Sequence, residues 1–87
     1  MADEKLKNKI HDVLKRGYFS DLTDFVDVSD GFDDLIHIVV ISRKFDGRSM
    51  KEKEDLIWSE LFQNLYSGEW GKVSLSIGAN PDEIKAL

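Results

Sequence analysis

The chain has 87 residues and a mass of 10.0 kDa, so residues 1–87 are expected to form a single domain around one small core. A composition of 41% hydrophobic and 33% charged residues excludes disorder of the whole chain, and the absence of cysteine excludes disulfides, thiolate nucleophiles and cysteine-held metal sites. The net charge of -5 argues against non-specific binding to nucleic acid or to an anionic membrane.

No targeting signal is expected from the sequence. A secretory signal peptide begins with a basic stretch that is followed by an apolar one. The first five residues here include both acidic and basic side chains and do not have that pattern. No apolar run approaches the roughly 18 residues that span a bilayer. A cytoplasmic location without membrane association is therefore expected.

The first half of the chain predicts a helix followed by a β-hairpin. Apolar residues at helical spacing predict an amphipathic helix over residues 5–16. Apolar and acidic residues then alternate over residues 22–28, which predicts a half-buried strand. A turn rich in Asp and Gly over residues 29–34 and a β-branched run over residues 35–41 complete the hairpin.

The second half predicts two helices around a third strand. Ser49 and Glu52 have the spacing of a capping box, which predicts a helix from there to about Leu65. Alternation over residues 73–77 predicts a strand, and Asn80 is expected to cap a short last helix. The residues expected to face inward from the long helix are Leu56, Ile57, Leu61, Phe62 and Leu65.

The element order α-β-β-α-β-α defines the expected fold class. It predicts an α+β domain in which the helices pack on one face of a small three-stranded sheet. Trp58 and Trp70 are expected to pack against this small core, and the alternative is that they are exposed and anchor an interface.

Few residues have the spacing of a catalytic or metal site. The two histidines, His11 and His37, lie on different predicted elements, and no nucleophile, calcium-loop or phosphate-loop motif occurs. No enzymatic activity, cofactor or metal is therefore predicted. One alternative stays open for a metal, an unorthodox site that combines His37 with Asp33 or Asp34.

Charge is distributed unevenly along the chain, and the stretch with the most basic residues is the candidate binding site. Residues 18–37 contain six acids and no Lys or Arg, whereas residues 43–53, the basic segment, contain five bases and two acids. A loop between a strand and a helix N-terminus can present cations and backbone amides to an anion, and a turn with solvated charges fits the pattern equally well. Lys44 and Arg48 are expected to face solvent. The candidate residues for binding a partner or nucleic acid are Arg43, Lys44, Phe45, Gly47, Arg48, Lys51 and Lys53.

A family resemblance is carried by the same part of the chain. Residues 38–49, IVVISRKFDGRS, resemble the V-V-x-S-x-x-F-x-G-K/R-S segment of BolA-like proteins. Residues 80–84, NPDEI, are similar to the family's T-P-x-x-W ending. The predicted element order also resembles that family, whose fold is similar to class II KH domains.

The resemblance implies a protein that is not an enzyme. BolA-like proteins partner monothiol glutaredoxins in iron–sulfur cluster handling, and some are DNA-binding transcriptional regulators. In the family, a His or Cys between the first two strands and a His near the start of the third strand ligate a bridging cluster. Here residues 29–34 contain neither, and the second position falls on Val73 or Lys72, which cannot replace an imidazole. The family's R-H-R segment reads Lys-Glu-Asp at residues 53–55.

Three functions stay open from the sequence. The first is an adaptor, monomeric or weakly dimeric, that binds a monothiol glutaredoxin without ligating a cluster. The second is a KH-like nucleic-acid-binding module that uses the basic segment, which has an excess of three positive charges but lacks the G-x-x-G loop. The third is a divergent domain that binds another partner through its sheet or helix surface. Steep salt dependence of binding would indicate the nucleic-acid function.

Overall fold

Helices cover one face of a three-stranded mixed sheet in the computed structural model, which describes residues 2–85. This is the α+β fold that the sequence predicts, in the predicted order, with a one-turn helix and a 3-10 turn added. No helix within residues 2–85 has both the length and the apolar character needed to cross a bilayer. The elements are α1 (Glu4–Arg16), β1 (Phe25–Asp30), β2 (Ile36–Ile41), a 3-10 turn (Arg43–Phe45), α2 (Met50–Asn64), α3 (Ser67–Trp70), β3 (Val73–Ala79) and α4 (Pro81–Lys85).

The central strand of the sheet is β2. It pairs with β1 as the antiparallel hairpin that the sequence predicts, with Phe25 opposite Ile41. It pairs with β3 in parallel, with Val39 opposite Ile77. Because parallel neighbours need a long connection, α2 crosses from the end of β2 to the start of β3. Both β1 and β3 are edge strands of this sheet.

The hydrophobic core lies between the sheet and the two longest helices. Alternate residues of β2 are fully buried, because every second side chain of a strand points to the same face. Helix α1 contributes Ile10 and Leu14, and helix α2 contributes Ile57 and Leu61, one turn apart in each case. The fully buried strand residues are Ile36, Ile38 and Val40.

The predicted helix caps are present. At the start of α2, the backbone N–H of Glu52 donates to the Ser49 hydroxyl at 3.2 Å, and the Ser49 N–H donates to the Glu52 carboxylate at 2.8 Å. At the start of α4, the backbone N–H of Glu83 donates to the side-chain oxygen of Asn80 at 2.8 Å. The expected starts of both helices are therefore confirmed.

The first strand begins later than the alternation predicts. Leu22 is 102% exposed and β1 starts at Phe25, because the preceding residues form a turn. In that turn the Asp24 N–H donates to the Asp21 carbonyl at 3.0 Å, and the Lys15 ammonium donates to the carbonyls of both aspartates at 2.8 and 2.6 Å. The predicted strand over residues 22–28 is wrong for its first three positions.

One predicted core residue of α2 is on the surface. Phe62 is 56% exposed, because it lies about 100° around the helix from buried Leu61. Its ring packs on Trp58 and Trp70, with centroids 5.3 and 5.0 Å away. The two tryptophans also pack against the core, and the Trp58 indole N–H donates to Ser76 Oγ at 3.0 Å. Their expected packing role is confirmed.

Candidate functional site

The aromatic residue of the basic segment anchors the loop in the core. Phe45 is 0% exposed and its ring centroid lies 5.4 Å from that of Phe19. A Cβ at Gly78 would lie 3.0 Å from the Phe45 ring, so the ring packs directly on the β3 backbone. The expectation that Phe45 contacts a partner is corrected by its burial, because no atom of it is accessible.

Gly47 has a conformational role in the same loop. It has a φ of 70°, in the left-handed region that glycine adopts without a steric penalty. No atom lies within 4 Å of the position that its Cβ would occupy, so close packing does not require a glycine. The reversal of the backbone between the 3-10 turn and α2 is therefore what requires Gly47.

Lys44 is held by a carboxylate beneath the loop. Its ammonium lies 2.7 Å from the Asp24 carboxylate and 3.4 Å from that of Asp21, and only 23% of its side chain is exposed. The buried Ser42 hydroxyl donates to the same Asp24 carboxylate at 2.6 Å and accepts the Lys44 backbone N–H at 3.0 Å. The expectation that Lys44 faces solvent is therefore wrong.

Opposing effects set the proton affinities of this pair. Burial alone would raise the pKa of Asp24, but the hydrogen bonds from Lys44 and Ser42 outweigh it, and the pKa lies below its ordinary value. Burial would likewise lower the pKa of Lys44, but the bond to Asp24 raises it. Both groups are therefore charged at neutral pH and fix the loop against the turn before β1.

Two further cations of the basic segment are paired with α4. The Arg43 guanidinium makes a two-point contact with Asp82, at 2.8 and 3.2 Å. The Lys53 ammonium contacts both carboxylate oxygens of Glu83 at 2.8 and 2.7 Å. These bonds from Arg43 and Lys53 lower the pKa values of Asp82 and Glu83 respectively.

Burial also changes the interpretation of Lys53. It is only 6% exposed, and its stem packs beside Gly78 of β3, where a Cβ would lie 3.2 Å from the Lys53 Cβ. A partner could reach little of it without displacing Glu83. The expectation that Lys53 contributes to a binding surface is corrected by this arrangement.

Of the remaining cations, one is paired and one is not. Lys51 lies 2.9 Å from Asp55, one helical turn further along α2. Arg48 donates to the Lys44 carbonyl at 3.1 Å and makes no ion pair with a carboxylate of residues 2–85. The positive charge of the basic segment is thus mostly neutralised by carboxylates of this chain, which does not favour a nucleic-acid-binding surface.

The histidines form no metal centre. His37 is partly buried beside Gly31, and the side chain of His11 is 44% exposed next to Asp12. Across residues 2–85, no three His, Cys, Asp or Glu side chains are grouped so that they could hold a metal ion. The structure does not bring His37 together with Asp33 and Asp34 in such a group.

A cavity of about 550 Å³ lies between the start of α1, the hairpin turn and the connection from α3 to β3. It has no local signal in the sequence, because its lining comes from three separate stretches of chain. Both lysines and carboxylates line it, and Lys9 lies 2.7 Å from Glu69. Its charged lining residues are Asp3, Lys5, Lys9, Asp34, Glu69 and Lys72.

Comparison with known structures identifies the fold. The chain is similar to BolA1 from Arabidopsis thaliana, with a TM-score of 0.66 over 93% of this chain and 98% of that chain. The two sequences are 17% identical. No protein-family model and no curated protein matches the chain. The chain therefore has a BolA-like fold.

Proposed function

We propose that this protein is a non-enzymatic BolA-like adaptor that binds a monothiol glutaredoxin and provides no ligand to a shared iron–sulfur cluster. The likeness to BolA1 over nearly the whole of both chains carries the proposal. The resemblance of residues 38–49 to the family's most specific segment supports it independently. The cytoplasmic location stays a prediction from the sequence.

The residues at the family's two ligand positions do not fit a cluster. Iron in such clusters is held by thiolate or imidazole groups. Here the hairpin turn provides Asp33 and Asp34, and the start of the third strand provides Lys72 and Val73. The turn and Lys72 line a cavity of lysines and carboxylates, so a bound glutaredoxin would have to hold any cluster with its own ligands.

Arg48 is the candidate contact for an acidic group of the partner. It is exposed, and it lies between Gly47, which reverses the backbone, and Ser49, which caps α2. Hydrogen bonds with Ser49, and to a lesser extent the Arg48 charge, lower the pKa of Glu52. Arg48 makes no ion pair with a carboxylate of residues 2–85, so an interface would not need to break one. Arg43, Lys44 and Lys53 would each have to give up such a pair.

An amide-resolved NMR titration with a purified monothiol glutaredoxin tests the proposal. We expect saturable shifts around Arg48 with both the apo and the cluster-loaded partner, under anaerobic conditions for the latter. Arg48→Glu should weaken the affinity at least several-fold. The matched control is Arg16→Glu, which reverses an exposed charge at the end of α1 and should leave the affinity unchanged.

Two results would contradict this proposal. One is an unperturbed spectrum at about 100 μM of each protein, a concentration at which weak interfaces are detected. It would mean that the protein has a BolA-like fold but does not bind glutaredoxin. The other is loss of the cluster absorption spectrum of the complex when His37 is replaced in His37→Ala. That loss would mean that His37 is a cluster ligand and that the two proteins share the ligation.

A further inference from the structure

The face of the sheet opposite the helices is uncovered except at Ala79, which is buried at one corner. Strand pairing places three residues from each strand on this side in a three-by-three array, which we call the open face. Helices α1 and α2 pack on the other side with the core. The rows of the open face are Phe25, Ile41 and Ala79; Asp27, Val39 and Ile77; and Ser29, His37 and Leu75.

A continuous apolar band crosses the open face. Phe25 is 51% exposed on β1, and Leu75 and Ile77 are each 44% exposed on β3. Val39 and Ile41 connect them on β2, partly exposed between the fully buried residues of that strand. Contiguous apolar surface that no element within residues 2–85 covers is typical of a site that binds another molecule.

The rest of the face has one charge. Asp27 lies beside Val39 on the edge strand β1, and it makes no ion pair with residues 2–85. It belongs to the stretch of residues 18–37 that contains six acids and no Lys or Arg. A ligand that covers the apolar band therefore gains from a cation placed over the β1 side of the face.

The dimensions of the face decide between a second copy and a smaller partner. Strands of six or seven residues at ~3.3 Å per residue, three strands wide at ~4.8 Å spacing, give a face of about 300 Å². A stable protein dimer buries about 800 Å² on each partner. The net charge of -5 on each chain also opposes the pairing of two copies.

One helix matches the face in both size and chemistry. An α-helix is about 10 Å across, and ~14 residues of it span about 20 Å, the length of these strands. We propose that the open face binds a single amphipathic helix of a partner protein, with an apolar stripe over Val39, Ile41 and Ile77 and Lys or Arg residues beside Asp27. This surface does not include Arg48, so the proposal does not rest on glutaredoxin binding.

A pair of synthetic peptides tests the open face directly. One is an amphipathic helix of about 16 residues with a leucine stripe flanked by lysines, and its twin has glutamates in place of the lysines. With the basic peptide, we expect amide and methyl shifts on Phe25, Val39 and Ile77 and none on α1. The acidic twin should bind at least tenfold more weakly.

Matched variants separate this site from general attraction between a basic peptide and an acidic protein. Asp27→Lys should reverse the preference between the two peptides, and Ile77→Lys should abolish binding of both. The controls are Asp12→Lys and Leu22→Lys, which change an exposed acid and an exposed apolar residue away from the face. Both should keep the wild-type preference and affinity.

Three outcomes would overturn the proposal. The first is equal loss of binding in Asp12→Lys and Asp27→Lys, which means non-specific charge attraction. The second is a set of peptide shifts that map to the helical side. The third is that the protein sediments at the mass of a dimer and that the NMR signals of open-face residues change on dilution. This result would mean that a second copy occupies the face. Ile77→Lys should still bind glutaredoxin if that separate function holds.

Discussion

The basic segment and the open face differ in how well the sequence indicates which side chains are accessible to a partner. The basic segment is conspicuous in the sequence, yet Phe45 and Lys53 are buried and four of its five cations are paired with carboxylates of the same chain. The open face is inconspicuous in the sequence, yet Asp27 and all of its apolar residues except Ala79 are at least partly exposed. A local excess of charge therefore predicts a binding surface only where the fold leaves that charge unpaired.

The same difference separates two kinds of partner. Except at Arg48, a ligand at the basic segment must compete with ion pairs that are already formed, each at the cost of leaving a carboxylate unpaired. A ligand at the open face only displaces water from apolar side chains. For this reason we expect protein partners rather than nucleic acid to dominate the binding of this chain.

The largest expected effect comes from Phe45 of the basic segment, and Phe25 of the open face is its contrast. Phe45→Ala should destabilise the protein by about 3–5 kcal/mol, because it leaves a cavity under the loop. Phe25→Thr should change the stability by less than about 1 kcal/mol, since its ring is half exposed and threonine suits a strand. Urea unfolding at pH 7 measures both. Equal losses would mean that Phe25 is packed and that the open face is not open.

The pair beneath the loop gives an intermediate effect and a pH dependence. Asp24→Asn leaves the partly buried Lys44 with only the more distant Asp21 carboxylate and should cost about 1–3 kcal/mol at pH 7. Folding lowers the pKa of Asp24, so its contribution is complete above the ordinary carboxyl pKa of about 4 and is lost as the pH falls through the lower folded value.

The difference in unfolding free energy between the wild type and Asp24→Asn should therefore shrink as the pH falls below about 4. Urea titrations from pH 7 to pH 2 measure it. Asp27→Asn is the control, because that exposed carboxylate has no ion-pair partner within residues 2–85 and its removal should change little. A difference that stayed constant with pH would show that the Asp24 charge does not stabilise the fold.

The smallest effect is expected from releasing cations of the basic segment. Asp55→Asn with Asp82→Asn frees Lys51 and Arg43, both exposed, from their strongest ion pairs. Wild-type protein should show no salt-dependent binding to single-stranded DNA. The double variant should bind single-stranded DNA weakly. A plot of the logarithm of its binding constant against the logarithm of the salt concentration should have a slope of about -1.4, the value for two phosphate contacts.

Asp12→Asn with Asp27→Asn makes the same change in net charge without freeing those cations. It should remain without salt-dependent binding in a fluorescence anisotropy titration. If wild-type protein itself bound with a steep slope, the internal ion pairs would not neutralise the basic segment. The KH-like function would then regain its support.

Local chemistry allowed most of the fold to be predicted. The Ser49 to Glu52 capping box, the cap at Asn80 and the β-branched run of β2 depend on residues a few positions apart, and the structure contains all of them. The start of β1 was predicted wrongly for the same reason. Residues 22–24 alternate like a strand, but a lysine of α1 holds them in a turn.

The candidate site could be predicted only in part, because its residues are paired over long distances. The partners of Arg43 and Lys53 lie 39 and 30 positions further along the chain, so their neutralisation has no local signal. The open face was hidden for another reason. Apart from His37, strand β2 is apolar on both sides, which is typical of a strand covered on both faces, although only one of its faces is covered here.

The contacts of α4 with the loop also have a consequence for synthesis. Asp21 and Asp24 leave the ribosome before Lys44, so that lysine meets its carboxylates as soon as the hairpin forms. Arg43 and Lys53 must wait for Asp82 and Glu83, which are added 39 and 30 residues later. During this interval Arg43 and Lys53 lack their α4 partners, whereas Lys44 and Lys51 can already pair with Asp24 and Asp55. Docking of α4 is therefore the last step in the neutralisation of the basic segment.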